Sequence, residues 1–332
     1  SDILPLTSRM IAFAWNFGGV LTTVNGNFTI DNLSTINEVR FSANVATTLT
    51  IKGDLNIVSG LLNFSSGSTA SRIMILNLEG NYNQTGGTFT HSNSNNLLAF
   101  NMNGSGKTFT QTAGALTNTN INWTVSNGAY LSLSSDLPVA TSRTVTVTGT
   151  LDCGSTNKIS GVGSVTVSSG GVLKTSNLNT SGALNGSVTA TGGLTLSTGS
   201  TVELNGTAPQ FLGARTFSNL KINNASGVVA KGDLTVNGIL DLSANPNATN
   251  GALEMVIDYT GYAQNPYGVG DYTNSTASFN NLNSYVLTMG PSATTVGIGD
   301  VTGKIRRTSL VDNTTYSFGN AHTELRLNSV SG

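Results

Sequence analysis

Apolar residues alternate with Thr, Asn and Ser along most of the chain: Leu55-Asn56-Ile57, Val165-Thr166-Val167, Leu194-Thr195-Leu196, Leu234-Thr235-Val236 and Leu240-Asp241-Leu242. A period of two places successive side chains on opposite faces of an extended backbone, so each run predicts a strand with one apolar face. Gly, Asn or Ser-Gly separates the runs and supplies the corners. The runs follow one another too closely for helices to intervene, which predicts an all-β chain. The apolar stretch from Met10 to Trp15 is too short for the core of a leader peptide and is read as a first strand.

The runs also repeat. Gly53-Asp54-Leu55-Asn56-Ile57 returns as Gly80-Asn81-Tyr82-Asn83-Gln84, as Lys107-Thr108-Phe109-Thr110-Gln111 and, much later, as Gly232-Asp233-Leu234-Thr235-Val236. The unit is about 20–27 residues, the size of one solenoid coil. The predicted fold is therefore a parallel β-helix (β-solenoid), with about a dozen coils stacked over roughly 60 Å. Residues 1–255 carry the repeats. From about Glu254 the pattern changes to Tyr259, Tyr262, Tyr267, Tyr272 and Phe279, so residues 256–332 are expected to form a C-terminal β segment, either a cap or the start of a following domain.

Composition fits a stack. Only 9% of residues are charged and the net charge is −1, as expected where like charges would fall in one column and repel. Thr, Ser and Asn suit such columns because they hydrogen-bond from coil to coil. Without a basic stripe there is no electrostatic source for nucleic-acid binding. No apolar run reaches the roughly 20 residues needed to span a membrane, so no membrane insertion is expected. A single cysteine, Cys153, excludes an internal disulfide and tilts the source towards bacteria. Sequons such as Asn27-Phe28-Thr29 are what chance gives in a chain this rich in Asn and Thr.

One stretch has a family likeness. Val202-Glu203-Leu204-Asn205-Gly206-Thr207, Phe217-Ser218-Asn219-Leu220-Lys221-Ile222 and Gly232-Asp233-Leu234 precede Gly303-Lys304-Ile305-Arg306-Arg307 and Thr315-Tyr316-Ser317-Phe318-Gly319. This resembles the repeats of large surface adhesins and gliding-associated surface proteins of Bacteroidota, which are typically exported by type IX secretion. The likeness covers about residues 160–320 and implies display outside the cell, adhesion or filament building. It brings no catalytic residues with it, and no secretion-sorting domain is visible.

Polysaccharide-cleaving β-helices share this architecture and need converging carboxylates. Here 16 acidic residues are spread thinly, with no Asp-x-Asp, and Asp54, Glu79 and Asp136 are the set that coils could bring together. Gly268-Val269-Gly270-Asp271 and Gly297-Ile298-Gly299-Asp300 faintly echo a calcium β-roll, although turn formation explains them better. His91 and His322 lack metal-ligand or triad spacing and are read as surface residues, while Cys153 is read as an inward core residue. Threonine rows such as Thr144-Val145-Thr146 suggest an ice-binding face, though Asn, Ser and Lys interrupt them. Tyr82, Trp123 and Tyr130 could stack on sugars, with a place in the core as the commoner role. No catalytic, cofactor-binding or metal residue is assigned. The expected function is that of a non-enzymatic structural or adhesive module of a larger cell-surface protein. Its partners would be other surface proteins, glycans or copies of itself. The alternatives are a polysaccharide-active β-helix enzyme and a carbohydrate- or ice-binding module.

Overall fold

The computed structural model describes residues 15–31, 38–93, 95–243, 254–257, 285–297, 299–302, 304–317 and 324–326. Of the first strand expected from Met10 to Trp15, only Trp15 lies among them, where it opens the strand Trp15–Asn16. The fold is the all-β parallel β-helix expected from the alternation. Packing divides the chain into two compact units, Ser1–Gly171 with Val188–Thr195, and Val172–Ser187 with Leu196–Gly332.

In the first unit the chain passes through three parallel ladders in turn. Ladder I holds Trp15–Asn16, Glu38–Ser42, Leu61–Ser65, Thr88–His91 and Ala115–Thr119. Ladder II runs from Thr23–Val24 through Thr47–Ile51, Met74–Leu78, Leu98–Met102, Ile121–Val125 and Thr144–Val147 to Ser164–Val167. Ladder III holds Phe28–Asp31, Leu55–Ser59, Tyr82–Gln84, Lys107–Gln111, Tyr130–Leu133 and Thr150–Asp152. A separate parallel pair joins Leu137–Val139 to Ile159–Gly161. Leu55 faces Tyr82, and Tyr82 faces Phe109 after an equal step along the chain. Further along, Val145 faces Val165 after a shorter one. Coil length thus spans the range read from the sequence, and the strands' backbone N–H and C=O groups find their partners one coil away.

Register dictates the core. Because equivalent positions stack, an inward aromatic in one coil lies on the inward residue of the next. Tyr82 and Phe109 stack with centroids 4.7 Å apart and planes 8° apart, and Phe100 meets Trp123 at 4.6 Å. A second column runs Phe41, Phe64, His91, with ring separations of 5.6 Å and 6.1 Å. Gln84 is a buried polar exception: it accepts the Tyr82 hydroxyl proton at 2.7 Å and donates Nε2–H to the Ala115 carbonyl at 3.0 Å. Both ends of its amide are therefore satisfied, as burial requires.

Corners pack as tightly as strands. A Cβ on Gly80 would lie 2.2 Å from the Gly53 carbonyl oxygen one coil below, whereas a Cβ on Gly26 would meet nothing within 4 Å. Gly80→Ala is therefore expected to cost about 1–3 kcal/mol through overpacking. Gly26→Ala should stay within about 0.5 kcal/mol. Urea midpoints of the two variants check the contrast, and equal midpoints would contradict it.

The second unit repeats the plan. One ladder holds Val172–Thr175, Thr201–Leu204, Asn219–Ile222, Ile239–Leu242 and Thr294–Gly297. A second holds Gln210–Leu212, Val228–Ala230, Glu254–Ile257 and Asp300–Thr302, and a third Arg215–Phe217, Leu234–Val236, Val286–Met289 and Lys304–Arg307. A short helix, Ala183–Ser187, interrupts the first of these coils. The boundary expected at residue 255 falls inside these ladders and not at their end. Val236 faces Met289, and Met289 faces Arg307. The physical reason is that Leu287 and Met289 are fully buried and continue the apolar stack. Among the described residues, parallel pairing gives way at Thr315–Ser317, which pairs antiparallel with Glu324–Arg326. Arg307 anchors that pair: its guanidinium lies 4.7 Å from the Tyr316 ring centroid and donates Nη1–H to the Ser317 carbonyl at 2.8 Å.

Candidate functional site

Outward side chains form the continuous chemistry of this protein. At one corner of the first unit, the Asn27 side-chain oxygen Oδ1 accepts the Asp54 N–H at 2.8 Å and the Asp54 carboxylate accepts the Asn81 N–H at 2.7 Å. Asn81 then accepts the Thr108 N–H at 2.9 Å. On ladder III, the Asn56 side-chain amide donates to the Thr29 hydroxyl at 3.1 Å, and that of Asn83 to Asn56 Oδ1 at 3.0 Å. On ladder II, Asn101 donates to Asn77 at 2.9 Å. A side-chain amide has a donor and an acceptor end, so identical amides can chain in register where like charges would repel.

The second unit answers the charge problem differently. Lys174 faces Glu203, Glu203 faces Lys221, and Lys221 faces Asp241, a column of alternating sign. Glu203 sits between its neighbours with Lys174 Nζ at 3.4 Å and Lys221 Nζ at 3.9 Å, and it accepts Asn223 Nδ2–H at 2.7 Å. These contacts leave Glu203 only 6% exposed, although it points away from the core. Beside it runs a second outward column, in which Thr201 faces Asn219. Asn219 donates to Thr201 Oγ1 at 3.5 Å and accepts the Ile239 N–H at 2.9 Å. Between the two columns lies a depression of about 270 Å³, lined by Thr201, Glu203, Asn219, Lys221, Ile239 and Asp241 among others.

No protein-family model matches the chain, and no curated protein or solved structure matches it.

Of the residues singled out from the sequence, Asp54 aligns with Asn81 and not with Glu79, and Asp136 faces Lys158 Nζ at 3.7 Å. Among the described residues, no three of His, Cys, Asp and Glu gather as a metal site would need. Tyr82 and Trp123 are core residues, 0% and 4% exposed, so stacking on sugars is closed to them: equivalent strand positions stack inward. Tyr130 is half-buried and donates its hydroxyl to Asp152 Oδ2 at 2.8 Å. His91 is buried, which corrects its reading as a surface residue, because it occupies the rung after Phe64. Cys153 points inward, and burial raises its thiol pKa far above the usual value. On ladder II, Thr124 faces Thr146 and Thr146 faces Thr166, but Asn77 and Asn101 occupy the same column earlier. Gly297, at φ 93, ends the strand Thr294–Gly297 and pairs with Leu242. His322, Gly268–Asp271, Ile298, the tyrosines at 259, 262, 267 and 272, and Phe279 lie outside the described residues.

The charged column is what sequence reading missed. The steps from Lys174 to Glu203, from Glu203 to Lys221 and from Lys221 to Asp241 are unequal along the chain, so no fixed period aligns them.

Proposed function

We propose that this chain is a non-enzymatic, extracellular structural and adhesive module of a larger bacterial cell-surface protein. The observation that carries this reading is the coil-to-coil ladder of amides and hydroxyls, from Asn27 through Asp54 and Asn81 to Thr108. These outward groups tie each layer to the next, as a stalk under tension requires, and they present a weakly charged surface. The likeness to Bacteroidota surface adhesins supports display outside the cell and export by the type IX route. Partners in this reading are glycans, other surface proteins or copies of the chain, held by many weak contacts whose avidity grows with copy number. Among the described residues, no helix is long and apolar enough to cross a membrane.

Beads carrying the chain at graded density, flowed over surfaces coated with dextran, mannan or the chain itself, test the proposal. Retention should rise steeply with density, and no new reducing ends should appear in the polysaccharide. Release of reducing ends would replace the proposal with a polysaccharide-active enzyme. Failure of retention on all three surfaces would remove the adhesive half.

A further inference from the structure

The outer face of a parallel sheet with short side chains is flat, yet the second unit carries a depression of about 270 Å³ on that face. Its walls are Glu203, Lys221 and Asp241 of the charged column and the Thr201–Asn219 column described above. The ionic groups that line it, Glu203, Lys221 and Asp241, carry one excess negative charge, which Lys174 balances from outside the lining through its pairing with Glu203 at 3.4 Å. The groove therefore carries no net charge to select an anion or a cation, while Glu203, Lys221, Asn219, Thr201 and Asp241 place hydrogen-bonding atoms along it. Val172, Leu220 and Ile239, the last 44% exposed, add apolar lining. Polar groups, balanced charge and an aliphatic lining match a ring that bears hydroxyls on its edge and C–H groups on its face. The volume lies just under the roughly 300–1,000 Å³ of sites that enclose drug-sized ligands, which suits one ring and not a buried oligosaccharide.

We propose that this groove binds a single sugar ring of a neutral glycan, supplying one of the weak contacts that the adhesive reading requires and on which this inference rests. Glu203, held by both lysines, and Asn219, held between Thr201 and Ile239, are preset acceptors and donors. Lys221 and Asp241 are half-buried, more open than Glu203. Binding should be nearly independent of salt, because no net charge is neutralised.

Saturation-transfer NMR and calorimetry with maltotriose, cellotriose, mannotriose and chitotriose test this. At least one should bind with a Kd in the millimolar range, typical of a contact worth about 4 kcal/mol. Ile239→Ser and Lys221→Gln should each weaken it at least about fivefold. Ile73→Ser, which removes an exposed isoleucine from the first unit, should leave it unchanged. Melting curves of all three variants separate lost binding from lost fold, and the more conservative Asp241→Asn serves if Lys221→Gln unfolds. If a trisaccharide binds and the groove variants leave it intact, the groove assignment falls while the adhesive reading stands. If beads are retained on polysaccharide but no trisaccharide binds, the single-ring inference alone falls. If no trisaccharide binds and beads are retained on neither polysaccharide nor the chain itself, both fall. Preferred binding of an oligouronate, abolished by salt, would overturn the neutral class.

Discussion

Shortening Phe100 to alanine is expected to lower the stability of the first unit by about 3–5 kcal/mol. Phe100 is fully buried and its ring meets Trp123 at 4.6 Å, Phe89 at 5.9 Å and Tyr82 at 6.0 Å. The lost ring would leave a cavity walled by three other aromatics, each already held by stacked neighbours, so collapse around the gap is restricted. For a unit of this size, each kcal/mol shifts Tm by about 2–4 °C, so a drop of roughly 10 °C is expected by calorimetry. Phe100→Leu should lose much less. Because coils communicate mainly with their neighbours, faster amide exchange should centre on the strands at Met74–Leu78 and Ile121–Val125, which flank Phe100. A loss below about 1 kcal/mol would mean that the aromatic column is not packed as described.

The second large effect depends on pH. His91 Nε2 lies 3.0 Å from the Asn96 carbonyl, which fixes the proton there, and Nδ1 is buried without a partner among the described residues. Burial lowers the His91 pKa from 6.5 to about 4, with the Asn96 bond opposing it. The unfolded chain binds the proton more readily, so the stability given by the neutral ring is complete above pH 6.5, fades as pH falls, and is lost by about pH 4. A shift of this size corresponds to about 3 kcal/mol. Urea midpoints at neutral and acidic pH, compared between wild type and His91→Phe, isolate the effect, because the carboxylates titrate in both. His91→Phe continues the Phe41–Phe64 column and should be flatter between pH 6.5 and 4. Parallel pH profiles for the two proteins would show that the ring is already solvated.

His91 also shows how far the sequence could be read. The alternation at Leu55-Asn56-Ile57 and its return at Tyr82-Asn83-Gln84 announce both strand and coil, and the structure places Leu55 against Tyr82. The same step carries Phe64 to His91, so a strict use of the period would have placed this histidine inside. Read one residue at a time, a lone polar side chain looks like surface; only the register shows otherwise. Tyr82 and Trp123 follow the same logic, since Tyr82 lies between Leu55 and Phe109 and Trp123 lies over Phe100. Where coil length varies, the period no longer helps. The coil carrying the helix Ala183–Ser187 sets Lys174 far from Glu203 along the chain, while Glu203 reaches Lys221 by a much shorter path. Charge alternation along that column is a property of spatial neighbours and leaves no trace in local composition.

The pairing of Val236 with Met289 has a consequence for how such a chain can change over generations. Phe217 reaches its partner Val236 by a short path, but the path from Val236 to Met289 is well over twice as long. The entropy of closing the longer path exceeds that of the shorter by only about 1 kcal/mol, because it grows with the logarithm of length. A layered fold of this kind counts rungs and is nearly indifferent to the sequence threaded between them. Length added between Val236 and Met289 therefore costs little, and the ladders on either side keep their pairing.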